Sequence, residues 1–240
     1  MGKLIVLFLL LFFSHLDSQN LFLSTDPPYD QSNDIRTYLM RAAAEISESA
    51  LSQFTRLEQW TSVAEKRRQQ FIDMMGLCDV PVNGERPPLN VKIVDTCRME
   101  GYRIVKLYYE SLPQLYVPAN LYIPDNITTP RPSILYVCGH ARTQKVHYQP
   151  HARRFAQLGF VCLIIETIQW GEVLGEHWGC YANGWFHWYS RGYTPGGVEL
   201  WNAIRGLDLL CGRPEVDDEK LGVTGISGGG AQNWYIAAAD

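Results

Sequence analysis

The residues of this chain best suited to chemistry are Gly225-Ile226-Ser227-Gly228-Gly229. The apolar run Leu221-Gly222-Val223-Thr224 precedes them and Ala231 to Ala239 follow, so the spacing predicts a strand, a tight glycine-flanked turn and a helix. A serine on so sharp a turn sits in strained backbone, and residues lacking a Cβ let strand and helix approach closely, the arrangement of a nucleophile elbow. Ser227 Oγ then projects above a sheet as the nucleophile of an acyl transfer. The Gly228 N–H, at the positive start of the helix, faces any developing oxyanion. A free hydroxyl is unreactive at neutral pH, so Ser227 needs a base.

The elements that must hold this turn can be read upstream. Residues 1–18 read as a signal peptide: Lys3 supplies a positive start, Leu4 to Phe13 an apolar run, and cleavage falls near Ser18. Ten apolar residues are too few to span about 30 Å of hydrocarbon, so no stable membrane anchor is expected and the chain is expected to be secreted or periplasmic. Residues 19–85 read as an N-terminal arm and a helical extension ending near Gly76, and residues 86–240 as a further domain. Its first stretches, Val91–Arg98, Arg103–Glu110 and Val117–Ile123, are β-like, with a hairpin turn at Met99-Glu100-Gly101-Tyr102. Then strands at Ile134–Cys138, Val161–Glu166 and Leu221–Thr224 alternate with helices at Pro150–Leu158 and Thr194–Cys211. That alternation implies a parallel sheet covered on both faces. Thr194 is placed to cap its helix and Pro195 to occupy its first turn, with Trp201, Ile204, Leu207 and Cys211 facing inward.

The order of these elements resembles the α/β-hydrolase superfamily, and more closely the bacterial secreted esterases of acetyl xylan esterase-like type or related to dienelactone hydrolase and prolyl oligopeptidase. The residues that carry the resemblance are Ser133 to His140, Leu163 to Gln169, Ser190 to Pro195 and Gly225 to Gly230. It implies an α/β-hydrolase fold: a mainly parallel sheet with antiparallel N-terminal strands and helices on both faces. In that fold the triad follows in the order Ser, Asp or Glu, His. Here every histidine of the mature chain precedes Ser227, and Asp240 is the one acidic residue after it. The expectation is therefore a domain incomplete at its C-terminus, with the triad acid and histidine beyond residue 240; use of an upstream histidine is the alternative.

The resemblance also places a second oxyanion donor in the loop after Ile134–Cys138, with the His140 backbone N–H as candidate and Ala141 next. Glu166 ends a strand at the sheet edge where such folds place ligands, and either lines the substrate or caps the next loop. The loop from Gln169 to Tyr193 is rich in aromatics, Trp170 and Trp185 among them. These two are candidates for lining a carbohydrate ester, although a packed cap over the sheet explains them as well. The expected activity is that of a serine esterase using acyl-enzyme chemistry, with acetylated polysaccharide as one substrate class. A prolyl oligopeptidase-type peptidase is the runner-up, but too few residues precede Val91 for its propeller domain. Glucuronoyl esterases have an arginine after the serine, where this chain has Gly228. A non-catalytic binding protein on the same scaffold is the third reading.

Composition narrows the classes further. A net charge of −4 with 19% charged residues supplies no basic stripe for nucleic acid. No cysteine or histidine spacing suggests zinc, and no organic cofactor is implied. Of six cysteines, Cys138, Cys162 and Cys211 read as buried small hydrophobes, and one bridge among Cys78, Cys97 and Cys180 is allowed.

Overall fold

The computed structural model describes residues 34–240, so the signal peptide read at 1–18 lies outside the described residues. The chain divides between Ser62 and Val63 into two compact units. In the first, helix α1 (Ile35–Ser52) starts at Asp34, whose carboxylate accepts the Thr37 N–H at 2.7 Å. Helix α2 (Leu57–Met74) runs across the division, and Gln59 Oε1 at its start accepts the N–H groups of Thr55 and Arg56. Among the described residues no helix is long and apolar enough to cross a membrane.

The second unit is built on six strands: β1 (Lys92–Met99), β2 (Tyr102–Leu112), β3 (Leu115–Pro124), β4 (Arg131–Val137), β5 (Val161–Ile165) and β6 (Val216–Gly225). Their order in the sheet is β1-β2-β3-β5-β4-β6. The first three form an antiparallel meander and β3 pairs antiparallel with β5. Strand β4 lies between β5 and β6 and is parallel to both. Gly101, at φ +82°, makes the β1–β2 turn that residues with a Cβ rarely adopt. The remaining helices are α3 (Gln144–His147), α4 (Gln149–Gln157), α5 (Gly179–Asn183), α6 (His187–Ser190), α7 (Pro195–Cys211) and α8 (Gly228–Ala239).

Alternating strand residues feed two cores. On one face Leu107, Tyr109, Val117, Leu121, Leu135 and Leu163 pack with Trp201 and Ile204 of α7 and Ile236 of α8, and Ile72, Met75 and Leu77 join them. On the other face Tyr102, Tyr122, Tyr136, Cys162 and Ile164 pack against Ala152 and Ala156 of α4. Helix α7 begins as its sequence predicts: the Thr194 hydroxyl accepts the Gly197 N–H at 2.9 Å and donates to the Met75 carbonyl at 2.6 Å. Its buried face is tied to β2, the Trp201 indole donating to Ser111 O and the Tyr109 hydroxyl to Asn202 O.

Three expectations change. Strand β6 starts at Val216, which pairs with Arg131, five residues before Leu221; the stretch between them is out of register with β4, and its exposed Asp218, Glu219 and Lys220 show no apolar alternation. Cys211 is exposed, being the last residue of α7, while Cys138 and Cys162 are buried. All six cysteines are free, so Cys78, Cys97 and Cys180 form no bridge.

Candidate active site

Ser227 is the N-cap of α8, with φ 57° and ψ −119°, one of six non-glycine residues with positive φ among those described. That is costly backbone for an L-residue and holds the side chain at the apex of the β6–α8 turn. Its glycine neighbours are required by contact. A Cβ on Gly225 or Gly229 would run into the Val137 carbonyl at the end of β4, so only glycine lets the elbow sit against that strand. A Cβ on Gly228 would meet the His140 ring 2.5 Å away. Gly139 completes the seam: a Cβ there would lie 2.6 Å from Ile226 O and 3.3 Å from Ser227 Cβ.

The loop after β4 is held by polar residues that carry no motif. The buried Gln144, itself at φ 40°, donates from Nε2 to the carbonyls of Gly139 at 2.8 Å and Ala141 at 3.0 Å. Its Oε1 accepts the Thr167 N–H at 3.0 Å. The Thr167 hydroxyl donates to Cys138 O at 3.1 Å and accepts from Gln232 Nε2 of the elbow helix at 3.2 Å. A trans peptide points its C=O and N–H in opposite directions, and none of the described peptides is cis. With Gly139 O turned to Gln144, the His140 N–H is turned away from Gln144. Burial raises the proton affinity of the nearby Tyr148 hydroxyl, and the Ala141 and Gly139 backbone amides act the other way. Gln144, Thr167 and Gln232 could not be singled out in sequence, since only the fold brings them together.

The His140 imidazole lies beside the elbow in an aromatic pocket, with ring centroids 5.8 Å from Trp170 and 5.5 Å from Trp178. Its Nε2 is 3.0 Å from His177 Nε2. His177 Nδ1 in turn is 3.0 Å from Glu199 Oε1, an ion-pair distance, although the oxygen lies off the ring N–H direction and neither atom completes a hydrogen bond. Burial first, then His177, holds His140 below the ordinary histidine range, with Glu199 acting the other way. The neighbouring Cys138 is no competing nucleophile: burial foremost, then Glu166, pushes its thiol well up.

The other predicted residues fall in different places. Glu166 is turned into the protein, its side chain 2% exposed, where Oε1 accepts from Lys145 Nζ at 2.8 Å and Oε2 from the Glu172 N–H at 2.7 Å. It holds the following loop, and a Cβ on Gly171 would strike its carboxylate. Lys145 is shared with the exposed Glu172. Trp170 stands beside His140, whereas Trp185 belongs to a separate cluster, 5.1 Å from Trp188, which packs on Tyr193. The structure thus brings Ser227, Gly228, His140 and Trp170 together, and sets Glu166 and Trp185 apart from them.

No family model and no curated relative matches the chain. Solved structures do. A provisionally named acetyl xylan esterase from Bacteroides fragilis superposes with a TM-score of 0.64 at 16% identity, over 76% of this chain and 51% of that one. An acetyl xylan esterase from Paenibacillus sp. R4 gives 0.56 at 20% identity, over 73% and 56%. A glucuronoyl esterase from Solibacter usitatus gives 0.54 at 14% identity, over 78% and 57%. The chain therefore spans about half the length of the solved structures it resembles. At these identities the likeness establishes the fold: this is the α/β-hydrolase fold, a mixed sheet with helices on both faces.

Proposed function

We propose that the protein is a serine esterase that cleaves a carboxylic ester through an acyl-enzyme, with acetyl groups on polysaccharide as its substrate class. The observation that carries this reading is the backbone of Ser227, held at φ 57° on a glycine-walled turn between β6 and α8. In this reading Ser227 Oγ adds to the ester carbonyl, and the tetrahedral oxyanion is received by the Gly228 and His140 N–H groups. The intermediate collapses with release of the alcohol, and water then hydrolyses the acyl-serine by the same route. Secretion through the apolar leader at 1–18 belongs to the same proposal, as does the role of Trp170 as a wall of the acyl or sugar site.

The base admits two assignments. The order of triad residues in this fold points to a histidine after Ser227. A specific observation favours weighing a second: the Glu199–His177–His140 row ends beside the elbow, with the His140 ring against Gly228. Replacement of Ser227 by Ala in the full-length protein is expected to abolish hydrolysis of p-nitrophenyl acetate, and retained turnover would remove Ser227 as the nucleophile. Acetylated xylan compared with prolyl peptides then separates esterase from peptidase.

A further inference from the structure

A cavity of about 410 Å³ opens on the α4 side of the sheet, lined by Lys106, Tyr108, Tyr116, Asn120, Lys145 and Glu172. Its size falls within the roughly 300–1,000 Å³ of small-molecule pockets. It lies toward the same sheet edge as Ser227. Asn120 pairs with Ile164 and Ala119 with Ile165 at the carboxyl end of β5, and Val137 pairs with Gly225 where β4 and β6 end.

Three features of this cavity define what it would hold. Asn120 is only 6% exposed, yet its amide has no hydrogen-bond partner among the described residues. As part of the cavity lining, that amide offers a bound molecule both a donor and an acceptor. The charges around it are already matched: Lys106 lies 2.9 Å from Asp95, and Lys145 is held by Glu166 and Glu172. No unpaired charge is left to select an anion or a cation. Finally, Tyr116 packs edge-to-face on Tyr108 at 5.7 Å, which holds the ring with 48% of its residue surface open. A pre-positioned aromatic face loses little entropy on binding.

We infer that this cavity is a subsite for a neutral sugar unit of an oligosaccharide, the pyranose C–H face resting on Tyr116 and its hydroxyls bonding the Asn120 amide. The inference rests on the carbohydrate-ester reading above and extends it to a second position on the glycan. Its test is direct titration of unacetylated xylotetraose and cellotetraose into the full-length protein, alongside Asn120→Leu and Tyr116→Ala. Binding of at least one oligosaccharide is expected in the wild type, weakened about tenfold or more in each variant, with thermal melts reporting folding. Should Asn120→Leu fail to fold, the half-exposed Tyr116→Ala carries the test. Unchanged affinity in the folded variants, or no binding of either sugar at millimolar concentration, overturns the subsite. Parallel assays on p-nitrophenyl acetate separate the two readings. Variant-sensitive sugar binding without hydrolysis by the wild type keeps the subsite and removes the esterase; hydrolysis with binding indifferent to both variants does the reverse.

Discussion

Gln144 donates to the carbonyl of Gly139 at 2.8 Å, and that one bond sets the direction of the His140 N–H in the next peptide unit. Removing a single oxyanion donor outright costs about 10²–10³ in kcat. On the proposed mechanism Gln144 acts one step away, by fixing the plane of the His140 peptide, so Gln144→Leu is expected to lower kcat about ten- to a hundredfold. KM for a small ester should stay within about twofold, since no contact with the ground-state ester is lost. A rise in KM at constant kcat would place Gln144 in substrate binding instead.

The strain at Ser227 can be measured apart from its chemistry. Ser227→Ala keeps a Cβ in the same φ 57°, ψ −119° backbone, while Ser227→Gly removes the conflict. Relief of about 1–3 kcal/mol is partly offset by the about 0.5–1 kcal/mol of extra chain entropy that glycine gives the unfolded state. Both variants should be inactive, and Ser227→Gly should be the more stable by about 1 kcal/mol in denaturant titration. Equal midpoints would mean that the elbow stores no strain.

Adjacent glycines of α8 should respond in opposite ways. A Cβ on Gly229 would enter the Val137 carbonyl, which belongs to a central strand and cannot step aside. Gly229→Ala should therefore destabilise by about 3 kcal/mol or more, or displace the elbow and abolish turnover. At Gly230 the nearest atom to a Cβ is Gly225 O at 4.0 Å, so Gly230→Ala meets ordinary contact. It should be neutral or stabilising by up to about 1 kcal/mol through helix propensity. Thermal melts of the two variants decide the point.

This contrast also shows what a sequence can carry. The elbow is legible because its glycines are local: the strand, the turn and the helix that need them are contiguous. The Thr194 cap and the buried runs of β4 and β5 are legible for the same reason. The Gln144–Thr167–Gln232 network is not, because its members sit 23 and 65 residues apart and meet only where the segments after β4 and β5 reach the elbow helix. The row of Glu199, His177 and His140 is hidden in the same way. Glu166 is visible as a carboxylate at a strand end, but its partner Lys145, which decides its role, lies 21 residues away in the four-residue helix α3, too short to show a periodicity. The polar start of β6 escaped because only Val216 pairs with β4 before Leu221, and the exposed residues between them follow no apolar alternation.

Lys145 and Glu166 form a pair whose two ends are unequal to their third member. The side chains of Lys145 and Glu166 are 10% and 2% exposed, while that of Glu172 is 69% exposed. Lys145→Met leaves the Glu166 carboxylate buried with one N–H for company, and breaking such a pair from one side costs about 3–5 kcal/mol. Glu172→Gln removes a solvated partner and should cost less than about 1 kcal/mol. The double variant Lys145→Met/Glu166→Gln should recover much of the loss, because the orphaned charge is gone. Chemical denaturation of the three proteins gives the comparison, and a Lys145→Met protein as stable as the wild type would contradict the burial of the pair.

The last prediction concerns pH. His140 is held below its ordinary value of 6.5, first by burial and then by His177. It therefore binds its proton less readily folded than unfolded. Between the lowered value and 6.5 the unfolded chain carries more bound proton, so stability rises with pH across that interval. The contribution is fully present above 6.5 and is lost as pH falls below it. The melting temperature of the wild type should thus fall more steeply between neutral pH and about pH 5 than that of His140→Gln, which has nothing to titrate there. Turnover then separates the two assignments of the base. As the base of the elbow, His140 would lose about 10²–10⁴ of kcat/KM in the Gln variant, along with the acidic limb of its pH profile. As a donor acting through its backbone N–H alone, it would keep both within about tenfold, since Gln presents the same amide.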